Sequence, residues 1–157
     1  MSDTRSPDFF SFAMGEFEAT FPTDRRYAKN HMWAQRRGSE KSGGADTWRF
    51  GLSAYAVRLL QDVYFLEWEF EPPSSVEHRQ MIGAIESKKA ESDLYAPISG
   101  TLTRFNEELL SDPSAINVDK YAKGWLFELL GSGDSLLSPE DYIQHLDRVW
   151  EVTQRTI

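Results

Sequence analysis

Between residues 31 and 130 apolar and polar positions alternate over short runs, and turn-forming residues cut those runs apart. Segments 31–36 and 47–52 read as two strands, and the polar stretch Arg37-Gly38-Ser39-Glu40-Lys41-Ser42-Gly43-Gly44 between them reads as a hairpin loop. Ser53 stands where a helix N-cap belongs, and 54–60 combines good helix formers with an apolar face, which predicts a helix of about two turns. Segment 62–70, rich in Val, Tyr, Phe and Trp, is a half-buried strand that Pro72-Pro73-Ser74-Ser75 ends. Segments 81–85, 93–97, 100–105 and 125–129 supply further strands, with a turn at 97–100 and a stop at Gly131-Ser132-Gly133. So many short strands predict a mainly β sandwich or barrel.

The two ends of the chain read differently. Ser138-Pro139-Glu140-Asp141 combines an N-cap serine, a proline at the first helical position and acids in the first turn, and so starts a terminal helix through Trp150. Its apolar face is Tyr142, Ile143, Leu146, Val149 and Trp150, which should pack on the sheets. Residues 1–26 mix Phe9, Phe10, Phe12, Phe17 and Phe21 with Ser, Pro, Asp and Glu and give no clean period of 2 or 3.6. They read as an extension that docks its aromatics on the domain or on a partner, or as a tail packed only in part.

Composition narrows the chemistry. With 157 residues, one domain is expected, and no apolar run is long enough to span a bilayer. The opening Met1-Ser2-Asp3 shows neither an export nor an organelle pattern, so a cytoplasmic location is expected. A net charge of −8, with the basic residues scattered among acids, argues against nucleic acid as a partner. The chain has no cysteine, which excludes disulfides, thiolate metal sites and a cysteine nucleophile; any redox sulfur must be imported. His31, His78 and His145 stand far apart without a flanking ligand cluster, and no metal is expected. Catalytic Ser–His–Asp spacing is absent, and the many carboxylates read as a solvated surface. Gly131-Ser132-Gly133 lacks the lysine and the strand-to-helix context of a phosphate loop and reads as a plain turn.

The segment from Gly83 to Gly100 is different in kind: a strand, a polar turn with two lysines, and a second strand. This puts Lys89 near a hairpin tip, where its mobile stem projects into water and another enzyme can reach its amine. A solvated amine is protonated at neutral pH and is a poor nucleophile, so acylation requires an enzyme that recognises the hairpin and removes the proton.

The run Glu86-Ser87-Lys88-Lys89-Ala90-Glu91-Ser92-Asp93-Leu94-Tyr95-Ala96-Pro97-Ile98-Ser99-Gly100 resembles the lipoyl-attachment segment of glycine cleavage H proteins, in which Glu-Ser-x-Lys-Ala precedes Ser-Asp and Pro-x-Ser-Gly. The resemblance continues in His31-x-Trp33, in Gly51-Leu52-Ser53 leading to Asp62, and in the ordered series Asn106, Pro113, Asn117, Tyr121, Gly124 and Trp125. It implies a flattened barrel-sandwich hybrid of the lipoyl/biotinyl-carrier type, with two small antiparallel sheets, a short helix after the first hairpin and a C-terminal helix. On that reading residues 1–26 are an N-terminal extension, 27–134 the lipoyl-carrier barrel and 135–157 a C-terminal helix packed on it.

The resemblance also implies lipoate covalently attached to Lys89, and a monomeric carrier that catalyses nothing itself. It would shuttle an aminomethyl group between glycine decarboxylase, aminomethyltransferase and dihydrolipoamide dehydrogenase, with a lipoylating enzyme as a further partner; tethering raises the local concentration of the dithiol at each one. Glu86 and Gly100 match positions tied to recognition by the lipoylating enzyme, and Ser92 and Asp93 match those lining the cleft that stores the arm, where Asp93 suits a cationic amine. Four positions depart from the family pattern: Met32 replaces a Glu that helps hold the aminomethyl arm, Leu59 a His, Ala54 an Asp and Gln61 a Gly. Losing the carboxylate and the histidine weakens a shelter for a charged adduct. An H-like carrier serving lipoate transfer or another redox pathway, or a non-lipoylated interaction module, therefore remain alternatives. His31 and Trp33 either border the cleft or form a core pair, and are taken as structural.

Overall fold

In the strand 46–52, Trp48, Phe50 and Leu52 point to one face and are buried, while Arg49 and Gly51 face the other side. The same alternation recurs in its neighbours and builds the domain. The computed structural model describes residues 8–39 and 45–156; residues 1–7, residue 157 and residues 40–44, on which most of the expected hairpin loop falls, lie outside it. The strands are β1 (Phe9–Met14), β2 (Phe17–Pro22), β3 (Arg26–Tyr27), β4 (Met32–Ser39), β5 (Asp46–Leu52), β6 (Val63–Trp68), β7 (Ser74–Val76), β8 (Met81–Ser87), β9 (Glu91–Tyr95), β10 (Gly100–Phe105) and β11 (Phe127–Gly131). Helix α1 (Ala54–Leu60) follows β5, two single turns α2 (Glu108–Ser111) and α3 (Ala115–Val118) precede β11, and α4 (Pro139–Thr156) closes the chain.

Every strand pairing is antiparallel. Six strands form one sheet in the order β3-β4-β5-β11-β10-β7, β6-β8-β9 form a second that faces it, and β1 and β2 pair as a separate hairpin. Ala34, Phe50, Phe127, Leu102 and Val76 of the larger sheet meet Leu66, Ile82, Ile85 and Leu94 of the smaller across one core. The fold is thus the mainly β arrangement expected, with two facing antiparallel sheets, a short helix and a terminal helix; its strands do not close into a continuous barrel. Among the described residues, no helix is long and apolar enough to cross a membrane.

A second core corrects the reading of the N-terminal segment. Phe10, Phe12 and Met14 in β1, and Phe17, Ala19 and Phe21 in β2, do alternate, paired Phe10 with Phe21, Phe12 with Ala19 and Met14 with Phe17. The turn at Gly15, with φ +69°, shifts the inward positions from even to odd numbers, which hides the period in the sequence. The hairpin docks on its own chain, against Tyr27, Trp33, Tyr55, Tyr142 and Leu146. The apolar face predicted for α4 is the one that packs there, and the Ser138 hydroxyl accepts the Asp141 amide as an N-cap should.

Ser53 does not act as the capping side chain expected of it. Its hydroxyl is hydrogen-bonded to the Tyr142 hydroxyl at 2.9 Å, and the Tyr121 hydroxyl accepts the Ala54 amide. Tertiary partners have taken over the helix start. The Pro72–Ser75 stop is also shorter than expected, because Ser74–Val76 is recruited as β7 by pairing with β10. Gly131 completes β11 instead of opening the turn.

Gly51 shows how tightly the two cores are coupled. A Cβ there would lie 2.5 Å from the indole of Trp33, which is fully buried and donates its ring N–H to the Lys120 carbonyl at 2.9 Å. The ring cannot retreat. Gly51→Ala is therefore expected to cost about 3 kcal/mol through overpacking, read as a lower urea midpoint with unchanged m, whereas Gly38→Ala, with open space around the added methyl, leaves the midpoint in place.

Candidate functional site

The β8–β9 hairpin places Lys88 and Lys89 at its tip. Glu86 pairs with Glu91, and the turn closes where the Ser87 amide donates to the Ala90 carbonyl at 2.9 Å. The buried Ser87 hydroxyl donates to the same carbonyl at 3.0 Å and accepts the Ala90 amide at 3.2 Å, so this serine locks a turn two residues long at its tip. Both lysines are exposed, and among the described residues no carboxylate pairs with either amine.

The backbone beneath them is held. The Lys88 amide donates to the Asp62 carbonyl at 2.8 Å and the Lys89 amide to the Leu60 carbonyl at 3.4 Å, tying the tip to the loop that leaves α1. That loop is itself clamped: the Asn117 side chain donates to the Gln61 carbonyl at 2.8 Å and accepts the Val63 amide at 2.9 Å. Gln61 has φ +63°, a conformation that favours glycine, and its amide caps α1 by donating to the Val57 carbonyl. Asn117 belongs to the ordered motif series, but its part in holding the lysine turn was not legible from spacing.

Beside the tip, α1 and β9 enclose a cleft of about 410 Å³. Ser92 and Asp93 line it together with Ala90, as does His31 opposite them. The deeper lining is apolar: Met32, Leu52, Ile85 and Leu94 are buried, Ala56 and Leu60 come from α1, and the exposed Leu59 of α1 stands at the rim. Met32 and Leu59, two of the departures noted in the sequence, thus fall in the same cleft. Glu86 lies on the other face of the small sheet, where it lines a smaller depression of about 330 Å³ with Phe65, Glu67, Glu91, Ser92 and Asp93. Gly100 is not brought to this end; it follows β9 on the side away from the tip and pairs with Val76. A Cβ at Gly100 would collide with the Leu130 carbonyl oxygen, so close strand approach by itself requires glycine there.

Trp33 is core, as read from the sequence, whereas His31 is half-buried and forms part of the cleft wall. Its Nδ1 is hydrogen-bonded to the Tyr142 hydroxyl at 2.9 Å, and its ring packs on Tyr55 at 4.4 Å between centroids and on His145 at 5.5 Å. Burial, reinforced by the nearby His145, lowers its pKa to about 4, so it presents a neutral imidazole. Burial likewise keeps the Tyr142 phenol protonated, opposed by its hydrogen bond with Ser53. No cluster of three or more His, Asp or Glu able to hold a metal occurs among the described residues.

The family model described as glycine cleavage H-protein matches residues 25–148. The glycine cleavage system H protein of Rubrobacter xylanophilus is 39% identical over 130 residues, covering 82% of this chain and 97% of that one. The glycine cleavage system H protein of Thermus thermophilus is 36% identical over 130 residues, covering 80% and 95%. Among solved structures, a glycine cleavage system H protein from Mycobacterium marinum superposes with a TM-score of 0.64 at 31% identity, covering 78% of this chain and 95% of that one.

Two outcomes follow from the clamp and the imidazole. Asn117→Ala leaves the Val63 amide and Gln61 carbonyl unpaired, which costs about 1–3 kcal/mol; hydrogen exchange should then show the Lys88 and Lys89 amides opening faster by about tenfold. Unfolded His31 protonates near its ordinary pKa of about 6.5 and the folded residue only at about 4. Its share of stability is therefore complete above pH ~6.5 and is lost as the pH falls toward 4, on the order of 3 kcal/mol. Urea unfolding between pH 7 and 4 should show a shallower decline for His31→Asn than for the parent, asparagine tolerating the φ of +71° at this position.

Proposed function

The chain belongs to the glycine cleavage H-protein family, and from that premise we propose that Lys89 carries covalently attached lipoate and that the protein works as a carrier, not as a catalyst. The observation that supports this most is the tip itself: a solvent-facing amine whose side chain is unrestrained while its backbone is hydrogen-bonded to the loop after α1. A lipoylating enzyme needs an amine it can surround and a turn whose shape it can read, and this hairpin offers both.

The residues present fit the group. The cleft beside the tip has an apolar interior of a size to receive an aliphatic chain ending in a small ring, formed by Met32, Leu52, Ile85 and Leu94. Bound lipoate supplies a ring disulfide that can be reduced and loaded, which a cysteine-free chain cannot do by itself. Lys89 anchors it, Ser92 and Asp93 flank its path into the cleft, and Glu86 lies on the surface read by the lipoylating enzyme, whereas Gly100, distant from the tip, serves strand packing. In the glycine cleavage reading the cargo is the aminomethyl group, and the partners are glycine decarboxylase, aminomethyltransferase and dihydrolipoamide dehydrogenase.

Met32 and Leu59 favour a second reading, an H-like carrier serving lipoate transfer or another redox pathway. The cleft interior offers an ammonium no carboxylate; Asp93 and Glu91 are exposed at its edge, and an unpaired charge in an apolar site is costly. Intact-mass analysis of protein from lipoate-replete cells is expected to show one lipoyl group, retained in Lys88→Arg and absent in Lys89→Arg. Modification persisting in Lys89→Arg would sink the assignment. A reconstituted glycine cleavage assay then separates the cargoes: lipoylated protein that supports no glycine-dependent CO₂ release belongs to the second reading.

A further inference from the structure

The cleft does not end at β9. Asn30 and Tyr95, which line its end away from Lys89, also line a second cavity of about 560 Å³, and the Asn30 side chain donates to the Tyr95 carbonyl at 3.0 Å where the two meet. The lining of this second cavity carries Lys29, His78 and Arg79 over a floor of Ala28, Ala96 and Pro97, with no carboxylate; Glu77 and Asp134 are chain neighbours of lining residues but do not line it. In a chain with a net charge of −8, a concave site whose charged side chains are all cationic is not what composition supplies.

The cations are presented by fixed backbone from two sides. Lys29 sits in the tight β3–β4 turn, where the Ala28 amide donates to the Met32 carbonyl, the His31 amide donates to the Ala28 carbonyl, and His145 Nε2 lies 3.1 Å from the Lys29 carbonyl. Arg79 sits in the turn between β7 and β8, held by hydrogen bonds from the Gln80 amide to Glu77, from the Arg79 amide to Ala96 and from the His78 amide to the Ser99 hydroxyl. Its φ is +76°, so an arginine occupies a conformation that suits glycine, at a cost of about 1–3 kcal/mol. A charged side chain kept at that cost over a concave, cationic pocket points to a ligand.

The distances suit a role beside the lysine. From Lys89 to Tyr95 the chain advances at most about 20 Å, and an extended lipoyl-lysine, roughly a dozen bonds from Cα, spans about 15 Å, so the end of the arm comes within several ångströms of the boundary formed by Asn30 and Tyr95. We propose that the pocket of Lys29, His78 and Arg79 binds a small anion, carboxylate or oxyanion, at the far end of the cleft, so that the group handled there is anionic. The anion site stands whether or not Lys89 is modified; its use as a cargo site rests on the second carrier reading, in which the cargo is not the aminomethyl group.

The test is an amide-resolved NMR titration of the full chain, with sodium acetate, inorganic phosphate and methylammonium chloride at matched ionic strength. Acetate or phosphate should shift the Asn30, Arg79, Ala96 and Ser135 amides saturably, and whichever does so identifies the anion as a carboxylate or an oxyanion; methylammonium should not. Arg79→Gly relieves the positive φ, so its melting temperature should stay level or rise, while anion affinity falls about tenfold with the loss of a charge-assisted contact. Shifts that never saturate, equal affinity in Arg79→Gly, or saturation by methylammonium would overturn the proposal. Intact mass of the same sample keeps the two readings apart: a bare Lys89 with anion binding sinks only the carrier assignment, and lipoyl-Lys89 without anion binding sinks only this one.

Discussion

A long side chain works as a tether only if its root stays still, and here the root is fixed by two backbone hydrogen bonds, from Lys88 to Asp62 and from Lys89 to Leu60. They turn a hairpin tip, ordinarily the loosest part of a sheet, into an extension of α1 and its following loop. The support runs further inward. Asn117 holds the loop on both sides of Asp62, and the loop holds the tip. Rigidity of the backbone and freedom of the Lys89 stem therefore come from the same contacts, because those contacts use main-chain groups and leave the amine unengaged.

The two cores divide the work. The facing sheets set the separation between β4–β5 and β9 and so open a cleft beside the lysine. The aromatic cluster outside the large sheet, sealed by the N-terminal hairpin and α4, pins its other face through Trp33, Tyr55 and Tyr142. His31 joins them: it packs on Tyr55 and Tyr142 while lining the cleft, and its burial leaves it uncharged. The cleft interior is consequently neutral, its carboxylates lie at the exposed edge, and its cations gather beyond Tyr95. That ordering of apolar, acidic and basic groups along one groove separates this chain's chemistry from what its fold alone specifies.

Much of this was legible in the residues. Strand alternation, the Ser53 boundary, the Ser138-Pro139 start of α4 and the Glu86 to Gly100 run all depend on local spacing, and local spacing survives folding unchanged. The N-terminal hairpin was not legible, because the Gly15 turn reverses the parity of its inward positions. Nor was the true partner of Ser53, since a hydroxyl suited to a nearby amide found Tyr142 across 89 positions of sequence.

By itself, then, the order of residues determined the element pattern, the absence of native sulfur chemistry, the lysine at a hairpin tip and the membership that its motifs announce. What only the tertiary structure decided is which distant groups meet: Asn117 under the lysine turn, Met32 and Leu59 within one cleft, Lys29 opposite Arg79 at its end. The reason is physical. Periodicity and turn chemistry act over a few residues, whereas these meetings depend on the register and packing of two sheets, which no short window of sequence encodes.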